Sequence, residues 1–407
     1  MNAFALFTAL KNPRFARLYT AQAISQIGDA LTWVGLALLA YQLAKGNAAV
    51  VLGTALTLRV LAFVIFSPLA GVVADRINRK WLLITCDFGR VLVIACLPFV
   101  HTVWQVYVLM FLLNTFTAFF TPTNQATVPL VMGQEDAGQG FALSSATTEL
   151  INIAGPGLAG VAAALLGGRN LFFLDAVTFL VSGLLIMTLP SLQAKQGEVQ
   201  RSTFQDIRDG TARLWRDPPI RFALLMELVA AIAGALILVG TVTHIKTDLR
   251  LGDASYGWVM AAYGMGATLA SLVVGAYGKR VPRTTFVLLG ALVTSLAVLP
   301  GNFSSLFPLL AFWLVAGIGQ NWVNLPAETL LAERTEEAAQ GRVYGAHFAW
   351  SHLWYAFAYP LAGFLGTRFP DRSFLYGGLL ALVVLAITWL TSGASKSDRA
   401  VSPETAK

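Results

Sequence analysis

The chain has 407 residues, 56% hydrophobic and 12% charged, against about 25% charged in soluble domains. A soluble fold of this length cannot hide so much apolar surface, because a large shell always stays exposed. The composition therefore excludes an ordinary soluble domain and points to lipid as the solvent of that shell. The net charge of +7 sits in short gaps between apolar runs, which is the pattern of topogenic charge and not of a nucleic-acid surface.

A membrane span needs about 20 mostly apolar residues. Twelve such runs are predicted, over 17–43, 48–74, 81–100, 104–130, 140–166, 171–190, 221–243, 254–278, 284–300, 306–331, 342–366 and 373–392. The expected fold class is thus an all-α polytopic membrane protein with twelve transmembrane helices in two pseudo-symmetric six-helix bundles. The predicted organisation is an N-terminal bundle over 1–190, a cytoplasmic linker over 191–220, a C-terminal bundle over 221–392 and a cytoplasmic tail over 393–407. The first run is too long for a signal peptide and is read as the first span. Cys86 and Cys96 share one run, about 15 Å apart along a helix, so they are expected to pack and not to bridge.

In the linker, Phe204, Ile207, Thr211 and Leu214 recur at helical spacing, flanked by Arg208, Arg213 and Arg216 and stopped by Asp217-Pro218-Pro219. This predicts a short amphipathic helix, lying on the cytoplasmic membrane surface or solvated as a linker. Of the 28 Lys and Arg residues, twenty fall on the side that holds both termini and six on the opposite side. Positive charge favours the cytoplasmic side, so both termini are expected there, in a plasma (inner) membrane.

The two halves repeat. Gly71-Val-Val-Ala-Asp75-Arg76-Ile-Asn-Arg79 after the second span is echoed 204 positions later by Gly275-Ala-Tyr-Gly-Lys279-Arg280-Val-Pro-Arg283. Pro122 and Pro326, and Pro156 and Pro360, are spaced by the same 204 positions. Internal repeats of this kind mark transporters.

The Gly71-x-x-x-Asp75-Arg76-x-x-Arg79-Lys80 loop resembles the signature loop of the major facilitator superfamily. Within that superfamily, Asn12-Pro13-Arg14-Phe15-Ala16-Arg17-Leu18, the pair Gly28-Asp29 and Asp87-x-x-Arg90 resemble the macrolide-efflux-like branch of drug:proton antiporters. Gly155-Pro156-Gly157-Leu158-Ala159-Gly160 in span five resembles the antiporter motif. A weaker resemblance, over Val51 to Leu61, Phe120 to Pro129 and Gly341 to Gly363, is to nickel-resistance exporters of the same superfamily. The resemblance implies a secondary transporter in which spans one, four, seven and ten surround the path.

Physical reasons accompany the motifs. Gly71 permits close helix approach, Asp75 suits the positive end of a neighbouring helix, and Arg76 and Arg79 suit acidic partners. These four are expected to form a conformational latch, the alternative being charges that only set topology. Gly155, Pro156 and Gly160 are expected to serve tight helix packing, or to kink span five.

Polar residues three or four apart mark one face of a helix, and such faces turn away from lipid. On this ground Gln22, Gln26, Asn114, Asn152, Asn324, Glu328, His347 and Ser351 are expected to line the cavity, with Trp33, Phe63, Trp322, Trp350 and Trp354 nearby. Membrane-embedded ionisable groups are Asp29, Arg59, Asp87, Arg90, Glu149, Asp175, Glu227 and Glu328, with His347 and His352. Asp29, Glu149 and Glu227 are expected to couple protons or substrate, and Asp87 with Arg90 to be a structural pair. His347 and His352 point about 140° apart on a helix, so no metal site is expected from them.

No phosphate loop or protease zinc motif occurs, so no enzyme activity and no cofactor are expected. The expected partners are the bilayer, a small-molecule or ion substrate and protons, with no nucleic acid and a monomeric chain. Three functions stay open: export of a drug-like organic solute by proton-coupled alternating access, export of a divalent transition metal such as nickel, and lipid flipping or a non-exporting relic on the same fold.

Overall fold

A computed structural model describes residues 7–133, 137–192, 203–278, 280–335 and 340–392. Among these residues, twelve long helices coincide with the twelve expected spans, and one shorter helix occupies the linker. In the first half they are α1 (Pro13–Ala44), α2 (Ala48–Arg76), α3 (Arg79–Cys96), α4 (Val103–Met132), α5 (Ala137–Leu166) and α6 (Asn170–Met187). The linker helix is α7 (Thr203–Arg216). In the second half are α8 (Pro218–Thr243), α9 (Asp253–Tyr277), α10 (Arg283–Val298), α11 (Leu306–Arg334), α12 (Gln340–Arg368) and α13 (Ser373–Ser392).

Local sequence starts these helices where the chemistry asks for it. Asn12 caps α1, its side-chain oxygen accepting from Arg14 N at 3.0 Å and Phe15 N at 3.3 Å, with Pro13 in the first turn. Asn78 caps α3, Thr102 and Gln105 form a capping box on α4, and Asp217 caps α8 ahead of Pro218 and Pro219. Each cap satisfies amide donors that the helix cannot pair itself. At the other end, Gly133 follows α4 with φ +88° and Gly167 follows α5 with φ +84°, a conformation that glycine adopts without strain.

The chain divides into two compact units. The first holds residues 1–199 together with Leu251–Ala261, and the second holds Gln200–Arg250 together with residues 262–407. In the first unit α1 packs on α5 and α6, α2 on α4, and α3 on α4 and α6. In the second, α8 is the enclosed helix, packed against α10, α11, α12 and α13. Large apolar side chains stand exposed on the outer helices, including Leu92, Leu165, Phe307 and Leu390. That is the surface a lipid environment covers at no cost.

The linker does form a helix, and one edge of it meets protein. It packs on α12, with Leu214 fully buried, the Trp215 ring 5.3 Å from that of Trp350, and Trp350 Nε1 donating to Thr211 Oγ1 at 3.3 Å. The apolar edge of α7 is thus taken up by protein, because α12 offers an indole of matching size. Arg208, Arg213 and Arg216 face outward.

Close crossings rest on glycine. A Cβ on Gly317 of α11 would run into the carbonyl oxygen of Tyr263 on α9, and one on Gly266 of α9 into that of Leu314. Gly345 of α12 has open space around it. Gly317→Ala should therefore destabilise by about 1–3 kcal/mol through overpacking. Gly345→Ala should be neutral or stabilise by up to about 1 kcal/mol through the helix preference for alanine. Thermal unfolding of the two detergent-solubilised variants checks this, and equal melting would contradict the crossing.

Candidate functional site

Among the described residues, three clusters of charged groups on the long helices stand out, two in the first unit and one in the second. In the first unit, Asp87 and Arg90 stand three residues apart on α3 and form an ion pair, both essentially inaccessible to solvent. Ser182 Oγ of α6 donates to Asp87 Oδ2 at 2.8 Å. The Arg90 guanidinium lies between two rings, 4.1 Å from the centroid of Phe120 and 4.3 Å from that of Phe179. Each charge meets a partner of opposite sign and the cation meets two π faces, which suits a structural pair.

The second cluster joins α1 to α6. Asp175 is fully buried, and its two carboxylate oxygens accept from Thr32 Oγ1 at 2.5 Å and Thr178 Oγ1 at 3.0 Å. Gly28 makes this approach possible, since a Cβ there would overlap Asp175 Oδ1 and Thr178 Oγ1. Asp29 follows Gly28 directly and is half-buried. On α2, Arg59 lies over the Trp33 ring at 4.2 Å and toward Phe63 at 5.8 Å.

The third cluster joins α8, α11 and α12. His347 Nε2 and Glu227 Oε1 share a hydrogen bond of 2.8 Å, with the Glu227 side chain 8% exposed and that of His347 13%. Gln320, Asn324 and Glu328 follow one another at four-residue spacing on α11, as do His347, Ser351 and Tyr355 on α12. Asn324, Glu328 and Tyr344 are exposed, so this polar face requires water beside it.

The other expected residues take varied places. Gln22 Oε1 accepts from Asn124 Nδ2 at 2.9 Å, and Gln26 Oε1 from Thr148 Oγ1 at 3.1 Å. A polar seam thereby links α1 to α4 and α5. Asn114 is buried and donates to its own helix at Met110 O, 2.7 Å away, while Ser351 donates to Phe348 O at 3.1 Å. The side chains of Glu149, Asn152, Pro156, Gly71, Asp75 and Arg76 lie outside the described ones.

Arg79 is buried and donates from Nη1 to Ala126 O at 2.6 Å and from Nε to Ala74 O at 3.3 Å. It therefore ties α2 and α4 through backbone carbonyls. Gly155 faces Ala30, and Gly160 meets the backbone of Gly257 within the first unit. His352 bonds Phe348 O of its own helix at 2.8 Å and does not join His347. Trp350 packs on the linker helix, and Trp354 Nε1 donates to Leu224 O at 2.9 Å. Those two indoles serve packing.

The sequence reading did not single out Gln320, Tyr355, Thr32 or Ser182. Asp175 stood out as the lone charge in its span, but no pattern pointed to its two hydroxyl partners, which lie on different helices or at a spacing shared by many threonines.

Removing one member of a buried ion pair strands the other. Arg90→Ala should cost about 3–5 kcal/mol, while Asp87→Leu with Arg90→Leu together should cost far less. Chemical or thermal unfolding in detergent reads the difference, and equal losses would show that the pair is not mutually dependent.

The comparisons with known proteins agree with one another. The sequence profile of the Major Facilitator Superfamily matches residues 18–244 and 223–406. The uncharacterized MFS-type transporter YfiS of Bacillus subtilis (strain 168) is 26% identical, over 94% of this chain and 94% of its own length. Macrolide efflux protein A of Streptococcus pyogenes is 22% identical, over 95% of this chain and 97% of its own. The crystal structure of the nucleoside transporter NupG superposes with a TM-score of 0.74 at 14% identity, covering 93% of this chain and 99% of that one, which shows the fold. The profile spans nearly the whole chain in two overlapping matches, and so the chain belongs to the Major Facilitator Superfamily and is a multi-pass membrane transporter, not an enzyme.

Proposed function

We propose that the chain exports a small, toxic, drug-like organic solute by proton-coupled alternating access. The observation that carries this reading is the Glu227–His347 hydrogen bond at the buried edge of a polar, water-requiring face. Two titratable groups sharing a proton at that depth change the charge of the unit interior when one proton enters or leaves. A charge change that is better tolerated in one conformation than in another shifts the balance between them.

In the first unit, Asp29 beside the Gly28–Asp175 contact is a second place for such a proton, and Glu149 is proposed as a third. The Gly71, Asp75, Arg76 and Arg79 loop acts as the latch, with Arg79 anchored on α4 as its fixed point. Gly155, Pro156 and Gly160 keep α5 closely packed.

The outward direction draws support from the efflux function named for the relative of Streptococcus pyogenes. The charge bias supports reading both termini as cytoplasmic, in an inner membrane.

Proteoliposomes with an imposed pH gradient test the reading, using a fluorescent cationic dye beside Ni²⁺. Gradient-driven dye movement is expected. It should fall by at least about tenfold in Glu227→Gln and in Asp29→Asn, the scale on which loss of one proton-transfer group slows a coupled step. Nickel movement with an inert dye would replace the organic reading with the metal one, and dye movement indifferent to the gradient would remove protons as the driver.

A further inference from the structure

The bond to His347 uses one oxygen of Glu227. The other, Oε2, is buried without a hydrogen-bond partner. Seven residues further along α8, about 10 Å by helix rise, Gly234 presents no side chain. The Gln320 Oε1 and Tyr355 hydroxyl oxygens stand 3.2 and 3.5 Å from where its Cβ would be. Gln320 is 6% exposed, and its Nε2 donates to the Tyr355 hydroxyl at 3.4 Å. Gln320 Oε1, like Glu227 Oε2, is buried and unpartnered.

Buried polar atoms are nearly always paired, and leaving one unpaired is costly. Here both unpaired atoms are acceptors, one of them on a carboxylate, and both belong to the cluster that α8, α11 and α12 build. The same cluster supplies an aromatic wall, with the Tyr355 and Tyr359 rings 5.2 Å apart. On α11 and α12, Asn324, Glu328 and Tyr344 are exposed.

We infer that Glu227 Oε2 and Gln320 Oε1 are the two ends of a binding subsite for a protonated amine that carries a second hydrogen-bond donor. This rests on the exporter reading and specifies the cargo's chemistry. An ammonium N–H supplies both the charge and the donor that Oε2 lacks, and a hydroxyl or second N–H further along the molecule supplies the donor for Gln320. A quaternary ammonium brings the charge but no N–H. The Tyr355 ring stands at the Gln320 end, where it favours an aromatic or cationic body.

Equilibrium dialysis of radiolabelled tyramine against the full chain in lipid nanodiscs, with empty nanodiscs as blank, tests this. Tyramine should bind saturably. Its N,N,N-trimethyl derivative should bind at least about tenfold more weakly, the factor set by one charge-assisted hydrogen bond, and neutral 4-ethylphenol should not compete. Glu227→Gln should abolish tyramine binding, Gln320→Leu should weaken it several-fold, and His352→Ala, outside the cluster, should leave it unchanged.

Size-exclusion profiles confirm that each variant is folded. If Glu227→Gln is not, Gln320→Leu and the trimethyl derivative decide the matter alone. No saturable tyramine binding to the intact protein, equal binding of the trimethyl derivative, or binding untouched by the folded variants overturns the subsite. Dye efflux that persists in that event leaves the exporter reading standing. Saturable, Glu227-dependent binding with no gradient-driven movement of tyramine or dye would keep the subsite and remove the exporter.

Discussion

Hydrocarbon offers no hydrogen bonds, and the architecture of this chain follows from that single constraint. Every backbone amide and carbonyl at membrane depth must be paired within the protein, so the spans are helices. Polar side chains on them obey the same rule. On α4, Thr115, Thr117, Thr123 and Thr127 each return a hydroxyl to the carbonyl four residues back, at 2.7–3.0 Å, and Asn114 does so with its amide. These bonds let hydroxyls and amides sit in an apolar bundle without a partner on another helix. Close packing must then come from shape, and glycines such as Gly317 and Gly266 bring backbones into direct contact.

The same constraint separates two kinds of buried charge. Asp87 is matched by Arg90 and by Ser182, and the guanidinium face is covered by Phe120 and Phe179. Asp175 has a threonine hydroxyl on each oxygen. Both oxygens of each of these carboxylates are bonded, which fixes helix positions, while Arg90 Nε stays without a hydrogen-bond partner. Glu227 is left half-paired, beside a histidine, a side chain able to take up or release the shared proton. An incomplete network is expensive where it serves only structure, and its place at the edge of a polar face gives it a use.

The internal repeat shows how equivalent positions diverge. Arg79 and Arg283 stand 204 residues apart in the two copies of the signature loop. Arg79 is buried and bonds carbonyls of α2 and α4. Arg283 is half-buried and pairs with the Glu333 carboxylate at 3.0 Å. Nearby, Arg334 pairs with Asp217 at 2.9 Å, which joins the end of α11 to the cap of α8. In the second copy, the ion pairs Arg283–Glu333 and Arg334–Asp217 tie the helix ends.

The number, length and boundaries of the helices were legible in the sequence because hydrophobic thickness is a one-dimensional property. A run of apolar residues either reaches across a bilayer or does not. Caps such as Asn12, Asn78 and Asp217 are local too, bonding amides only two or three residues away, yet they emerged only from the structure. The signature loop and the repeat could likewise be read by spacing, and they led to the family. Glu227 and His347 could each be picked out as ionisable groups in apolar runs, but their bond spans 120 residues of sequence. Only the packing of α8 on α12 brings them together. Tertiary structure likewise decided that Trp350 meets Trp215 of α7, that Trp354 bonds Leu224 O, and that Asp175 meets Thr32. Helical periodicity says which face of one helix is polar, but not which face of another it meets, because that choice depends on side-chain shapes matched across distant segments.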